Sequence, residues 1–88
     1  MLKQFKFNGG FQSHTQIAGL DYIAGHFAKQ GAILRLDYAE KTYGLIQMKE
    51  LAEITRVLST GSEGAQSKLF GAATDYQGAQ CFWKLELN

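Results

Sequence analysis

"QIAGLDYIAGHFAKQG", residues 16–31, is the stretch on which the fold reading turns. Its apolar residues Ile17, Leu20, Ile23, Ala24, Phe27 and Ala28 recur at helical spacing. At about 100° per residue they gather within roughly 140° of one face, an ordinary core-facing stripe. Upstream, Ser13 and Gln16 have the spacing of a capping box, and Gly31 stands where a helix would end in a left-handed residue. The pattern predicts a helix from about Ser13 to Gln30.

Two glycines count against that helix. Gly19 and Gly25 would each cost about 1 kcal/mol relative to alanine in a helix interior. They close a tripeptide, Ile-Ala-Gly, that occurs at 17–19 and again at 23–25. Helical geometry turns the two glycines about 120° apart, so the tripeptide does not present one repeated surface. It predicts instead a low flank at Ala18 and Gly25, beside Tyr22, His26 and Lys29. Either a neighbouring loop or strand packs closely there, or a partner protein does.

Outward from this stretch the chain reads as alternating elements. "LKQFKF", 2–7, is strand-like and is broken by "NGG". "AILRLDY", 32–38, and "YGLIQM", 43–48, form a hairpin across the loop "AEKT", in a register that pairs Tyr38 with Tyr43 and Leu36 with Leu45. "KELAEITRVL", 49–58, has Leu51, Ile54 and Leu58 on one helical side and Lys49, Glu53 and Arg56 on the other. The polar stretch "STGSEGAQS", 59–67, reads as a loop. "LFGAAT", 69–74, and "AQCFWKLEL", 79–87, close the chain as a hairpin across "DYQG". The order is β-α-β-β-α-β-β, and the expected architecture is an α+β two-layer sandwich. Both helices would lie on one face of an antiparallel or mixed sheet.

Composition narrows the function classes. The chain of 88 residues is read as one domain. Nine Lys or Arg against eight Asp or Glu leave a net charge of +1, with no basic stripe of the kind a non-specific nucleic-acid binder carries. Cys81 is the one cysteine, so no internal disulfide forms and an oxidising compartment is not implied. The opening residues "MLKQFKFNGG" lack the apolar run of a secretory signal, and no segment has the apolar length of a membrane span. A soluble cytoplasmic protein that does not engage a membrane is expected.

No catalytic arrangement emerges. His14 and His26 would lie about 18 Å apart along the helix, too far to share an ion, so neither metal nor cofactor is expected. Cys81 stands in a row with Trp83, Leu85 and Leu87, where a free cysteine behaves as a small core residue. Gly9 and Gly10, with Ser13 and His14 just beyond, would stand between a strand and a helix N-terminus. An anion could rest there on main-chain N–H groups. The spacing matches neither a Walker A loop nor a dinucleotide fingerprint.

The sheet face away from the helices carries the functional expectation. In the closing hairpin, alternation sends Phe70, Ala72, Cys81, Trp83 and Leu85 one way, and Leu69, Gly71, Phe82, Lys84 and Glu86 the other. In the middle hairpin Leu34, Leu36 and Leu45 oppose Ile33, Arg35, Ile46 and Met48. The open face would then hold Ile33, Ile46, Met48, Leu69 and Phe82 among Arg35 and Lys84, more apolar than solvent exposure needs. Together with Tyr22, His26 and Lys29 it predicts a protein-binding module: an inhibitor, an adaptor or a regulatory subunit, or a homodimer through the sheet face. The alternative is a single-stranded nucleic-acid binder that stacks bases on that face, although no RNP1 pattern occurs. Anion binding at the glycine turn stands third.

Overall fold

Ala18 and Gly19 both have positive φ, 51° and 82°, and Ala28 and Lys29 repeat the arrangement at 51° and 66°. Two consecutive left-handed residues cannot continue a right-handed helix. They make the tight two-residue turn whose twist matches a pair of antiparallel strands. In the computed structural model, which describes residues 9–60 and 67–87, the stretch 9–31 is therefore strand, turn, strand, turn and the start of a third strand. The strands are β1 (Gly9–Ile17), β2 (Leu20–Phe27), β3 (Gln30–Asp37), β4 (Thr42–Met48), β5 (Glu53–Thr60), β6 (Lys68–Thr74) and β7 (Gln80–Glu86).

All pairings among the described residues are antiparallel. β1-β2-β3-β4 form one sheet and β5-β6-β7 a second. The expected α+β architecture is thus replaced by an all-β one, and neither expected helix forms. Residues 13–30 belong to β1, β2, the turns that follow each of them, and the first residue of β3. Residues 49–58 hold a turn, a short connection and most of β5. The strand expected at 2–7 and most of the loop expected at 59–67 lie outside the described residues. Among the described residues no helix is long and apolar enough to cross a membrane.

The physical reason lies in how β2 and β3 are buried. β2 has Asp21, Tyr22, Ala24 and Gly25 buried, and β3 has Gly31 to Leu34 buried in an unbroken run. Both are central strands with neighbours at either edge, and residues of both parities are buried on them, so the period of two disappears from the sequence. What remains, an Ala-rich apolar run, also fits a helical stripe.

The sheets meet through β5, which packs across β1, β2 and β3. Ile17, Tyr22, Ala24 and Ile33 face Ile54, Val57, Leu69 and Ala73, with Ile33, Ile54 and Leu69 wholly buried. Each such aliphatic side chain stabilises the fold by about 1.5–3 kcal/mol relative to exposure. β1 and β5 run in the same direction and are stitched by side chains. Val57 N donates to Ser13 Oγ at 3.0 Å, and Thr15 Oγ1 lies 2.9 Å from Ser59 Oγ. The Ser13 and Gln16 that suggested a helix cap serve this seam instead: Ser59 Oγ donates to the Gln16 carbonyl at 3.4 Å.

Two hairpins are present near where the sequence puts them, each with a corrected register. β3 pairs with β4 as Asp37–Thr42, Leu36–Tyr43 and Leu34–Leu45, two residues away from the expected pairing. The turn is set by Asp37, whose Oδ1 accepts from Glu40 N at 3.1 Å. A shift of two keeps the expected division of side chains into two faces, but the face expected to be open, with Ile33, Ile46 and Met48, is the one turned to the core. β6 and β7 pair as Thr74–Gln80 and Ala72–Phe82. Their loop has five residues, 75–79, where "DYQG" supplied four. Asp75 Oδ1 accepts from both Gln77 N and Ala79 N at 2.9 Å, Gly78 N donates to Asp75 O at 3.1 Å, and Gly78 has φ 85°. Asp75 N also donates to Ala79 O at 2.9 Å, so within this five-residue connection Tyr76, Gln77 and Gly78 form a three-residue hairpin loop whose left-handed glycine adds a bulge. The extra residue reverses the expected facing of β6 relative to β7.

Candidate functional site

The corrected register assembles a surface that the expected one divides. On the outer side of the three-stranded sheet, Arg56 pairs with Ala72 and Ala72 with Phe82, so these three form one row. Leu58, Phe70 and Lys84 form the next. Arg56 and Leu58 reach this side because a bulge between Ile54 and Arg56 resets the alternation of β5. Ile54 and Val57 can then both face the core. On β7 the alternation is uninterrupted, with Cys81, Trp83 and Leu85 turned inward and Gln80, Phe82, Lys84 and Glu86 outward.

Small Ala72 stands between two larger side chains and leaves a shallow groove of about 340 Å³, lined by Arg56, Leu58, Phe70, Ala72 and Phe82 with Gly71 and Trp83 beneath. Phe82 is 93% exposed and Leu58 39%. Three cations stand on this side, Arg56, Lys68 and Lys84, and Lys68 lies 4.0 Å from Glu86 at one end. An exposed aromatic beside further apolar surface, rimmed by charge, is the usual composition of a contact site.

The other residues expected at a binding surface are dispersed. Ile33 is in the core, where the open face had been expected, and Leu69 is there too; Ile46 and Met48 pack against that core. Tyr22 is 4% exposed on the inner side, so the helical flank of Tyr22, His26 and Lys29 does not form. Lys29 stands in the β2–β3 turn. His26 Nδ1 lies 3.1 Å from Glu53 Oε2, to which Gln12 Nε2 also donates. Arg35 is exposed at the mouth of a cleft between the sheets. Of that expected set, only Phe82 and Lys84 stand on the outer side of the three-stranded sheet.

The anion site loses its basis, because Gly9, Gly10, Ser13 and His14 all lie in β1 and no helix begins there. Ser13 is engaged by Val57, and His14 Nε2 is 3.0 Å from Asp21 Oδ1 on the outer side of the larger sheet. Asp21 is 6% exposed. The hydrogen bond from His14 holds its carboxyl below the usual aspartate range, helped by Gln16 and Tyr38 and opposed by burial. Tyr38 is pushed up in turn by its bond to Asp21.

Sequence reasoning missed Arg56, Leu58 and Phe70. The first two were masked by the helical reading of 49–58. Phe70 was placed on the wrong face by the four-residue loop, although Asp75 with Gly78 three residues on carries the signal of the longer one. Among the described residues no three His, Cys, Asp or Glu side chains converge to hold a metal ion. Comparison with protein-family models, with curated proteins and with solved structures finds no match to this chain.

Proposed function

We propose that this chain is a small cytoplasmic protein-binding module, an inhibitor, adaptor or regulatory subunit, that works by surface contact rather than catalysis. The observation that carries the reading is the Phe82 ring, 93% exposed on a sheet face it shares with Leu58 and Phe70. Burying such a ring stabilises by about 1.5–3 kcal/mol, which the free chain forgoes and a partner recovers. Arg56 and Lys84 at the rim favour a partner whose matching surface is acidic. The half-buried lone thiol of Cys81 accords with a reducing compartment.

Purified wild-type protein and Phe82→Ser and Leu58→Ser variants serve as bait in extract of the source cell, and captured proteins are re-tested in purified form. The expected result is a partner that binds wild type at least about thirtyfold tighter than Phe82→Ser, the scale of an interface hot spot. A captured set identical for all three baits sinks the proposal. Light scattering during size exclusion identifies the case in which the partner is a second copy.

A second reading draws on the same coincidence of Phe70 and Phe82 with Arg56, Lys68 and Lys84. Aromatic rings among cations on a sheet are a stacking platform for single-stranded nucleic acid. Fluorescence anisotropy with labelled oligothymidine at two salt concentrations tests it. Binding that weakens with salt and with Phe82→Ser supports it, and absence of salt-sensitive binding removes it.

A further inference from the structure

Tyr22, Arg35 and Gly44 are consecutive partners across β2, β3 and β4 on the inner side of the larger sheet. Beside them the sheets part, leaving a cleft of about 680 Å³ walled by Leu20 and Ile46 from one sheet and Leu85 and Leu87 from the other. That size lies within the range of small-molecule sites. Arg35 stands at its mouth with no acidic partner among the described residues. Its guanidinium lies over Gly44: a β-carbon there would come within 3.4 Å of Nη2, so the missing side chain leaves room for the cation. Glu86 is also at the rim, but alternation turns it outward, toward Lys68.

We infer that this cleft binds a single-chain amphiphile with a carboxylate head, a free fatty acid. The carboxylate lies on the Arg35 guanidinium beside the Tyr22 phenol, and the chain runs between Leu20 and Ile46 on one side and Leu85 and Leu87 on the other. Charge complementarity selects the occupant. A cation without an acid beside apolar walls is matched by one anionic oxygen pair on an apolar tail. Arginine suits this role because its donors form a fork that fits a carboxylate. Burial raises the Tyr22 pKa, so the phenol keeps its proton to donate, although the nearby guanidinium acts the other way.

Isothermal titration with dodecanoate, below its micelle concentration, tests the site on wild type and on Arg35→Gln and Gly44→Leu. Arg35 is exposed, so its variant keeps the fold, which far-UV circular dichroism verifies. The expected result is saturable binding of one dodecanoate per chain, weakened about tenfold or more in Arg35→Gln, as for loss of a charged hydrogen bond. Acetate and 1-dodecanol, each lacking one half of the match, bind at least about tenfold more weakly. In nitrogen-15 NMR spectra the shifts cluster at Leu20, Tyr22, Gly44 and Leu87. Absence of saturable binding overturns the inference, as does unchanged affinity in Arg35→Gln or shifts confined to the Phe82 face. Sedimentation with phosphatidylglycerol vesicles that needs Arg35, without dodecanoate binding, overturns it in favour of a bilayer surface. Gly44→Leu separates this site from the outer face: it abolishes dodecanoate binding while capture by Phe82 is unchanged.

Discussion

Gly25 lies directly against the main chain of Gly10, so a β-carbon built on Gly25 would stand 1.8 Å from the Gly10 carbonyl oxygen. The contact exists because β1 bulges between Phe11 and Ser13 and swings its backbone over β2. Gly25→Ala therefore displaces the bulge, and the Ser13 contact with β5 moves with it. A loss of roughly 1–3 kcal/mol, the scale of overpacking, is expected in urea unfolding. Unchanged stability would show that the bulge is not held by this contact.

Ala28 and Lys29 occupy left-handed conformations that alanine and lysine adopt at a penalty. The double substitution Ala28→Asn with Lys29→Gly installs the asparagine-glycine pair that suits this turn and removes the penalty. The variant should gain roughly 1 kcal/mol, seen as a rise in Tm of about 4–8 °C. An unchanged Tm would show that the turn carries no such strain. The reverse holds at Gly19, with φ 82° and open space around its α-carbon. Gly19→Val should lower Tm through backbone strain alone, with Gly19→Asn close to wild type.

Ser13 Oγ accepts the Val57 N–H from the other sheet. Val57 is 1% exposed, so water does not readily replace the lost acceptor. Ser13→Ala should destabilise by roughly 1–3 kcal/mol, and hydrogen exchange at the Val57 amide should accelerate more than at Leu69. Equal acceleration at both sites would point to global loss instead.

Asp21 is an aspartate whose folded pKa is lowered, first by the His14 hydrogen bond, from an ordinary value of 3.8. A lowered pKa means that the folded state binds its proton less readily than the unfolded state. The resulting stability is present above 3.8 and is lost as pH falls through the lower folded value. Tm of wild type should thus fall on acidification below about pH 4. Asp21→Asn should lower Tm at pH 7 and flatten that acid limb. Parallel Tm profiles for the two proteins would remove the Asp21–His14 hydrogen bond from the account. Tyr38 and Tyr22 are raised, so their contribution is present below an ordinary tyrosine value of 10.0 and is lost as pH climbs through the folded values.

Local chemistry was legible wherever the chain turns with a marked residue. The β6–β7 hairpin was visible from Asp75, Gly78 and the strict alternation of Gln80 to Glu86. The β3–β4 hairpin was visible from two apolar runs about a polar tip. The turns at 18–19 and 28–29 were not, because Ala-Gly and Ala-Lys lack the asparagine that marks such bends. Their left-handed geometry is imposed by the strands they join.

By itself the sequence determined the two later hairpins, the division of the middle one into faces, and the outward stance of Phe82 and Lys84 relative to Trp83. Only the tertiary structure decided that 13–30 forms strands joined by tight turns and that 53–58 is extended. An apolar stripe at Ile17, Leu20, Ile23, Ala24 and Phe27 satisfies a helix and a strand buried on both sides alike. What separates them is a second sheet to cover Tyr22, Ala24 and Ile33. That sheet comes from β5, β6 and β7, at a sequence distance that no local pattern encodes. The same packing placed Ile33 inside and brought Arg56, Leu58 and Phe70 beside Phe82. One bulge in β5 and one extra turn residue before β7 set the parity of those strands.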